Sequence, residues 1–125
     1  MLNVLLVLVG GGLGALSRYG VSLLAVKLLG TRFPFGTLIV NLSGCFLIGL
    51  SFALAERGLN IMNPLIRLFF ITGFLGGLTT FSSYAMETAN TIRVGAYLVA
   101  AGNFLSNNVI GGVLVFIGLW VGKIL

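Results

Sequence analysis

The run Gly73-Phe74-Leu75-Gly76-Gly77-Leu78-Thr79-Thr80-Phe81-Ser82-Ser83-Tyr84-Ala85-Met86-Glu87 is glycine-broken and rich in hydroxyls, in the middle of an otherwise oily chain. Its residue types suit the handling of ions: hydroxyls that donate hydrogen bonds, the aromatic rings of Phe81 and Tyr84 beside them, one carboxylate, and a Gly-Gly/Thr-Thr sequence that loosens a helix and frees carbonyl oxygens. In hydrocarbon such carbonyls persist only where they line a cavity or meet an ion. Beyond the break, at about 100° per residue, Thr80, Ser83, Tyr84, Glu87 and Thr91 fall on one helical stripe with Phe81 at its margin. The run therefore predicts a helix that carries both a backbone break and a polar track.

Other polar residues stand in apolar surroundings. Thr37 and Asn41 are one helical turn apart, with Ser43 close behind. An asparagine amide in a membrane core needs partners, either across a helix interface or in a wet pathway. Asn103, Ser106, Asn107 and Asn108 cluster later in the chain; Asn108 shares a face with Phe104, and Asn107 lies one turn after Asn103 on another. One asparagine is expected to bond between helices and another to face a path, and periodicity leaves open which. Arg18 sits inside an apolar run, where a guanidinium costs about 2.5–3.5 kcal/mol on insertion scales. It either snorkels to the interface or faces a water-filled vestibule that draws anions.

These residues need helices to hold them, and the composition specifies membrane helices. The chain has 125 residues, 58% hydrophobic and 7% charged, with a mean hydropathy of +1.18. At roughly 20 apolar residues per span, this length allows about four helices with short connections. The expected spans are about 3–26, 35–55, 65–92 and 96–122, forming a single transmembrane domain. Gly10-x-x-x-Gly14 and Gly118-x-x-x-Gly122 offer seams for close helix packing. Histidine is absent, and Glu56 and Glu87 are the two carboxylates, so metal clusters of side chains, Ser-His-Asp arrangements and paired-carboxylate chemistry are excluded and no enzyme is expected. Cys45 is alone and reads as a small packing residue.

The net charge of +5 comes from dispersed residues at the ends of apolar runs. That pattern anchors helices in a bilayer and forms no phosphate-binding patch, so nucleic acid is not an expected partner. Four helices put both termini on one side. Arg57, Arg67 and Lys123 then face Lys27, Arg32 and Arg93 across the membrane, which leaves the positive-inside rule nothing to act on. A chain without charge bias inserts both ways, and opposed copies can pair as an antiparallel dimer about a two-fold axis in the membrane plane.

Three stretches together resemble the Fluc/CrcB family of fluoride channels over nearly the whole chain. They are Gly11-Gly12-Leu13-Gly14-Ala15 with Arg18-Tyr19; Gly36-Thr37-Leu38-Ile39-Val40-Asn41-Leu42 with Gly44; and Gly73-Phe74-Leu75-Gly76-Gly77-Leu78-Thr79-Thr80-Phe81-Ser82. The resemblance implies an all-α integral membrane protein of four transmembrane helices, the third broken near Gly76 to Thr79. It also implies an antiparallel dual-topology homodimer in the cell membrane, with two fluoride pores and a structural sodium ion (Na+) that is not transported. By the same resemblance, backbone carbonyls of Gly76 and Thr79 hold the sodium. Phe81 and Tyr84 correspond to the family's phenylalanine pair, Asn41 and Thr37 to its pore asparagine and threonine, and Ser82, Ser83 and Glu87 to its third-helix hydroxyls and glutamate. Arg18 matches its first-helix arginine. The chain departs from the commoner pattern with Tyr84 for the second phenylalanine, Phe104 where some members have tyrosine, Asn108 where serine or asparagine occurs, and Gly112 where serine is common.

Fluoride suits these residue types on physical grounds as well. It is small and strongly hydrated, so a pore must replace its water with several weak positive ends. Hydroxyls and amides donate hydrogen bonds, and the edge of an aromatic ring is the positive end of its quadrupole. Several weak sites permit exit as well as entry. The alternative reading is a small four-helix proton-coupled multidrug exporter, whose usual first-helix glutamate is replaced here by nothing but Arg18.

Overall fold

Long apolar runs can satisfy every backbone group in a bilayer only as helices. The computed structural model describes residues 1–58 and 60–125 and contains four such helices: α1 (Leu2–Leu29), α2 (Phe35–Glu56), α3 (Pro64–Arg93) and α4 (Tyr97–Ile124). Each is long and apolar enough to cross a membrane. No strand occurs among the described residues. Gly30, Gly58 and Gly95 adopt φ of 81°, 65° and 79° just beyond α1, α2 and α3, a left-handed conformation that stops a helix and that a Cβ disfavours. The second connection holds a 3₁₀ turn at Asn60–Met62, with Leu59 outside the described residues. The side chain of Asn63 then caps α3 by accepting from the Ile66 N–H at 3.0 Å, with Pro64 in the first turn.

The third helix is broken, as its glycines and threonines predict. After Pro64–Arg67 it widens into a π-helical stretch, Leu68–Leu75, and tightens for one turn at Gly76–Leu78. Thr79 (φ −82°, ψ 155°) and Thr80 (φ −152°, ψ 113°) are extended, and Phe81–Arg93 resumes the α-helix. α4 is also interrupted, by a π-helical stretch at Ser106–Ile110 between Tyr97–Leu105 and Gly111–Ile124.

Two close-packed pairs frame the break. The first half of α3 lies on α1: a Cβ on Gly14 would run into the Phe74 carbonyl, and one on Gly77 would run into the carbonyl of Gly11. α2 lies on the second half of α4 in the same way, with Gly118 against the Phe46 carbonyl and Gly122 against Ala53. Both small-residue seams thus bring backbones together, which is how helices associate where lipid is as apolar as the protein. Val40, Leu75 and Leu78 form a buried apolar cluster at the level of the break, with Val21 and Phe74 packed on it. The far end of α4 is tied back by Arg57, whose Nη1 donates to the Gly122 carbonyl at 3.3 Å.

Candidate ion site at the helix break

The break is built by diverting two helical hydrogen bonds. In a continuous helix the Thr80 N–H would go to the Gly76 carbonyl and the Ser83 N–H to the Thr79 carbonyl. Here the Thr80 N–H donates to Asn41 Oδ1 at 2.8 Å, and the Ser83 N–H donates to Thr80 Oγ1 at 3.2 Å. Asn41 reaches over from α2 and also donates from Nδ2 to the Thr80 carbonyl at 3.2 Å, so one amide clamps both backbone groups of Thr80. Gly76 and Thr79 therefore lose the donors that a helix would give their carbonyls. The upstream end stays closed, because Thr79 returns both its N–H (3.0 Å) and its hydroxyl (2.9 Å) to the Leu75 carbonyl. Gly44 makes room for this arrangement, since a Cβ there would collide with the Thr79 methyl.

Beside the break lies a cavity of about 370 Å³. Asn41, Gly76, Thr79, Thr80, Phe81, Tyr84, Asn107 and Asn108 line it, together with Cys45 and apolar groups. Phe81 and Tyr84 meet edge to face, with centroids 5.4 Å apart and planes at 65°. Tyr84 is 6% exposed, whereas Phe81 is 77% exposed on this chain. The tyrosine hydroxyl accepts from Asn108 Nδ2 at 2.9 Å, and the same Nδ2 donates to the Phe104 carbonyl at 2.8 Å.

The polar track continues away from the break. The Thr80 hydroxyl lies 3.1 Å from Ser83 Oγ, to which it donates, and 3.4 Å from Ser82 Oγ. Farther along, the buried Thr37 donates to Glu87 Oε1 at 2.6 Å. Glu87 Oε2 is buried with no protein donor among the described residues. Thr80 and Tyr84 are buried while Ser83, Glu87 and Thr91 are half-buried, so the stripe read from 100° periodicity faces inward.

Six expected site residues are not part of the cavity lining: Thr37, Ser82, Ser83 and Glu87 belong to the polar track that leads away from it, while Phe104 and Arg18 lie apart from both. Phe104 is exposed and lines a separate apolar groove with Thr88, Ile92 and Tyr97, touching the cavity's edge only through its carbonyl bond to Asn108. Arg18 is half-buried on α1 and is not among the lining residues. Conversely, sequence reasoning gave no role to Thr88 and no partner to Asn103. Asn103 is fully buried and donates to Thr88 Oγ1 at 2.9 Å. Of the asparagines between which periodicity leaves the choice open, Asn107 bonds to Asn41 and Asn103, Asn108 bonds to Tyr84, and both line the cavity.

The geometry combines a helix opened at extended Thr79 and Thr80 with a lining of amides, hydroxyls and ring edges, and comparison with known proteins bears on what that combination is for. The family model described as "CrcB-like protein, Camphor Resistance (CrcB)" matches residues 5–119. The chain belongs to the CrcB family. Among curated CrcB relatives, a protein of Dehalococcoides mccartyi named "Fluoride-specific ion channel FluC" is 44% identical over 125 residues, which is 98% of this chain and 94% of that one. Proteins with the same name from Coxiella burnetii (44% identical, 99% of this chain and 97% of that one) and Parabacteroides distasonis (42%, 98% and 94%) are similar to it over the same extent. With four helices of spanning length, this CrcB protein is a multi-pass protein of the cell membrane.

Proposed function

We propose that this protein is a fluoride-specific channel that lets fluoride leave the cell passively and so limits its toxicity. The observation that carries the reading is the cavity at the break, whose lining offers hydrogen-bond donors and paired aromatic edges without a fixed cation, in a chain 44% identical to a relative named a fluoride-specific ion channel. Ring edges and hydroxyls hold a small hard anion weakly, and weak sites in series let it pass. A lysine or arginine in the same place would bind it too tightly to release. No bond is made or broken, so the protein acts as a channel and not as an enzyme.

The released carbonyls of Gly76 and Thr79 fit a monovalent cation, since oxygen dipoles without donors are what such an ion requires. Sodium bound there would neutralise those dipoles and cross-link the elements that carry them. Gly76 is exposed on this chain, and so are Phe81 and Ser82 beside it, so a second copy seated on this face would complete both the cation site and the cavity wall. The balanced basic residues favour an antiparallel copy.

Fluoride efflux from proteoliposomes, with chloride as control, tests the reading. Fluoride is expected to leave rapidly and chloride to be retained. Silence toward fluoride, or flux that requires a proton gradient, would replace the channel by an inert assembly subunit or an exporter.

A further inference from the structure

We propose that Thr88 and Asn103 are positioning residues for the helix break: acting through Asn107, they hold the Asn41 amide firmly in the orientation that clamps Thr80. The side chains form one unbroken chain across α2, α3 and α4. Asn41 Nδ2 donates to Asn107 Oδ1 at 2.9 Å, Asn107 Nδ2 donates to Asn103 Oδ1 at 2.9 Å, and Asn103 Nδ2 donates to Thr88 Oγ1 at 2.9 Å.

The oxygen and nitrogen of an amide are nearly the same shape, so orientation has to come from partners that have only one role. Three backbone groups supply it. The Thr80 N–H can only donate, which requires Oδ1 of Asn41 to face it. The Asn103 carbonyl can only accept, and it receives Asn107 Nδ2 at 2.9 Å. The Tyr84 carbonyl takes the one hydroxyl hydrogen of Thr88 at 2.9 Å, which leaves Thr88 Oγ1 as an acceptor toward Asn103. All three demand the same polarity, and reversing any amide sets oxygen against oxygen or nitrogen against nitrogen at its neighbours. Both N–H groups of Asn41 are used inside the chain, on Thr80 and Asn107. Asn41 thus shapes the ion site through the backbone it holds open, and the order of that clamp reaches back to a threonine two turns beyond the break.

Thr88→Val keeps the shape of the side chain and removes its hydroxyl; Thr88→Ser keeps the hydroxyl and removes a methyl. Two readouts on the purified full-length protein apply: hydrogen exchange of the Thr80 backbone amide in detergent, and fluoride efflux from proteoliposomes. The efflux arm rests on the fluoride-channel reading; the exchange arm does not. In Thr88→Val, exchange at Thr80 is expected to accelerate about fivefold, the effect of losing about one net hydrogen bond, and efflux to fall at least as far. Thr88→Ser should restore both. A packing role predicts the opposite order, with valine equal to the parent and serine impaired, and that result overturns the proposal. Should Thr88→Val not assemble, Thr88→Ala carries the same expectations, and parental Thr80 exchange in it overturns the proposal equally. A parent silent toward fluoride would remove the channel reading and leave the clamp to be judged by exchange alone.

Discussion

The two halves of α3 meet their neighbours by opposite means. Before the break, Leu68–Leu75 and Gly76–Leu78 approach α1 backbone to backbone through Gly73 and Gly77, with little polar side-chain chemistry. After it, Phe81–Arg93 carries the side-chain bonds that link α3 to α2 and α4: Thr37 to Glu87, Asn103 to Thr88, and Asn108 to Tyr84. Close backbone contact excludes water and ions from the face that the first half turns to α1. The second half stands off at side-chain distance, and donors fill the space. In lipid, which gives helices no hydrophobic reason to associate, the two modes divide the work: glycine contact sets the fold, and the hydrogen-bonded half has room for a path. The extended residues Thr79 and Thr80 are where one mode gives way to the other.

Adjacent glycines separate the modes most sharply. Gly77→Leu drives a side chain into the α1 backbone and is expected to abolish the four-helix fold, seen as loss of the monodisperse species in detergent. Gly76 points elsewhere, with the Ile71 carbonyl at 4.0 Å as the nearest group. If a second copy seats on this face as proposed, Gly76→Leu is expected to leave helix content intact and to abolish that pairing, read by mass photometry or crosslinking; pairing unchanged from the parent would remove the second copy from this face.

Next comes the aromatic pair. If Phe81 and Tyr84 only filled space, isoleucine would cost about 1–2 kcal/mol and flux would persist. With ring edges holding the anion, Phe81→Ile is expected to be folded, to keep the parent's oligomeric state and to be nearly silent in efflux. Tyr84→Phe keeps the edge but takes from Asn108 the hydroxyl it donates to, at a cost of about 1 kcal/mol and a reduction in flux of only a few-fold. Parental flux in both Phe81→Ile and Tyr84→Ile would make the pair packing.

Thr37→Val should cost about 1–3 kcal/mol, because Glu87 already has one carboxyl oxygen without a protein donor and would lose the donor to the other. A thermal melt unchanged from the parent would mean that Glu87 finds a substitute. The smallest effect is expected in the first half, where Asn63→Ala removes only a helix cap, worth about 1 kcal/mol. It should shift the melt slightly and leave fluoride efflux unchanged, as the division of labour requires.

The spans and the break were legible because each has a strong local signal: unbroken apolar runs for the helices, Gly76-Gly77 followed by Thr79-Thr80 for the interruption. The inward stripe from Thr80 to Thr91 was legible because that segment is regular α-helix and keeps its 3.6-residue period. The asparagine chain was not. Asn107 and Asn108 are adjacent and both serve the cavity, and they lie in a π-helical stretch where the 100° assumption fails. Thr88 gave no signal because a helical threonine ordinarily returns its hydroxyl to the carbonyl four residues back; it does so here, and the second bond, from Asn103, depends on a partner in another helix. Phe104 shares a face with Asn108 by periodicity, yet it is its carbonyl that makes the contact, while its ring turns to a different groove.

The widened turn of α4 has a consequence for how this chain tolerates changes of length. A π turn holds one residue more than the α turn it replaces, so Ser106–Ile110 behaves as an insertion stored within a spanning helix. Removing one residue there lets the turn relax to α and keeps Gly118 and Gly122 aimed at α2, whereas the same deletion one turn later would rotate that seam out of contact. The helix can therefore change the pattern of amides it shows to the cavity by gaining or losing a residue, and the contact that holds it to α2 need not change.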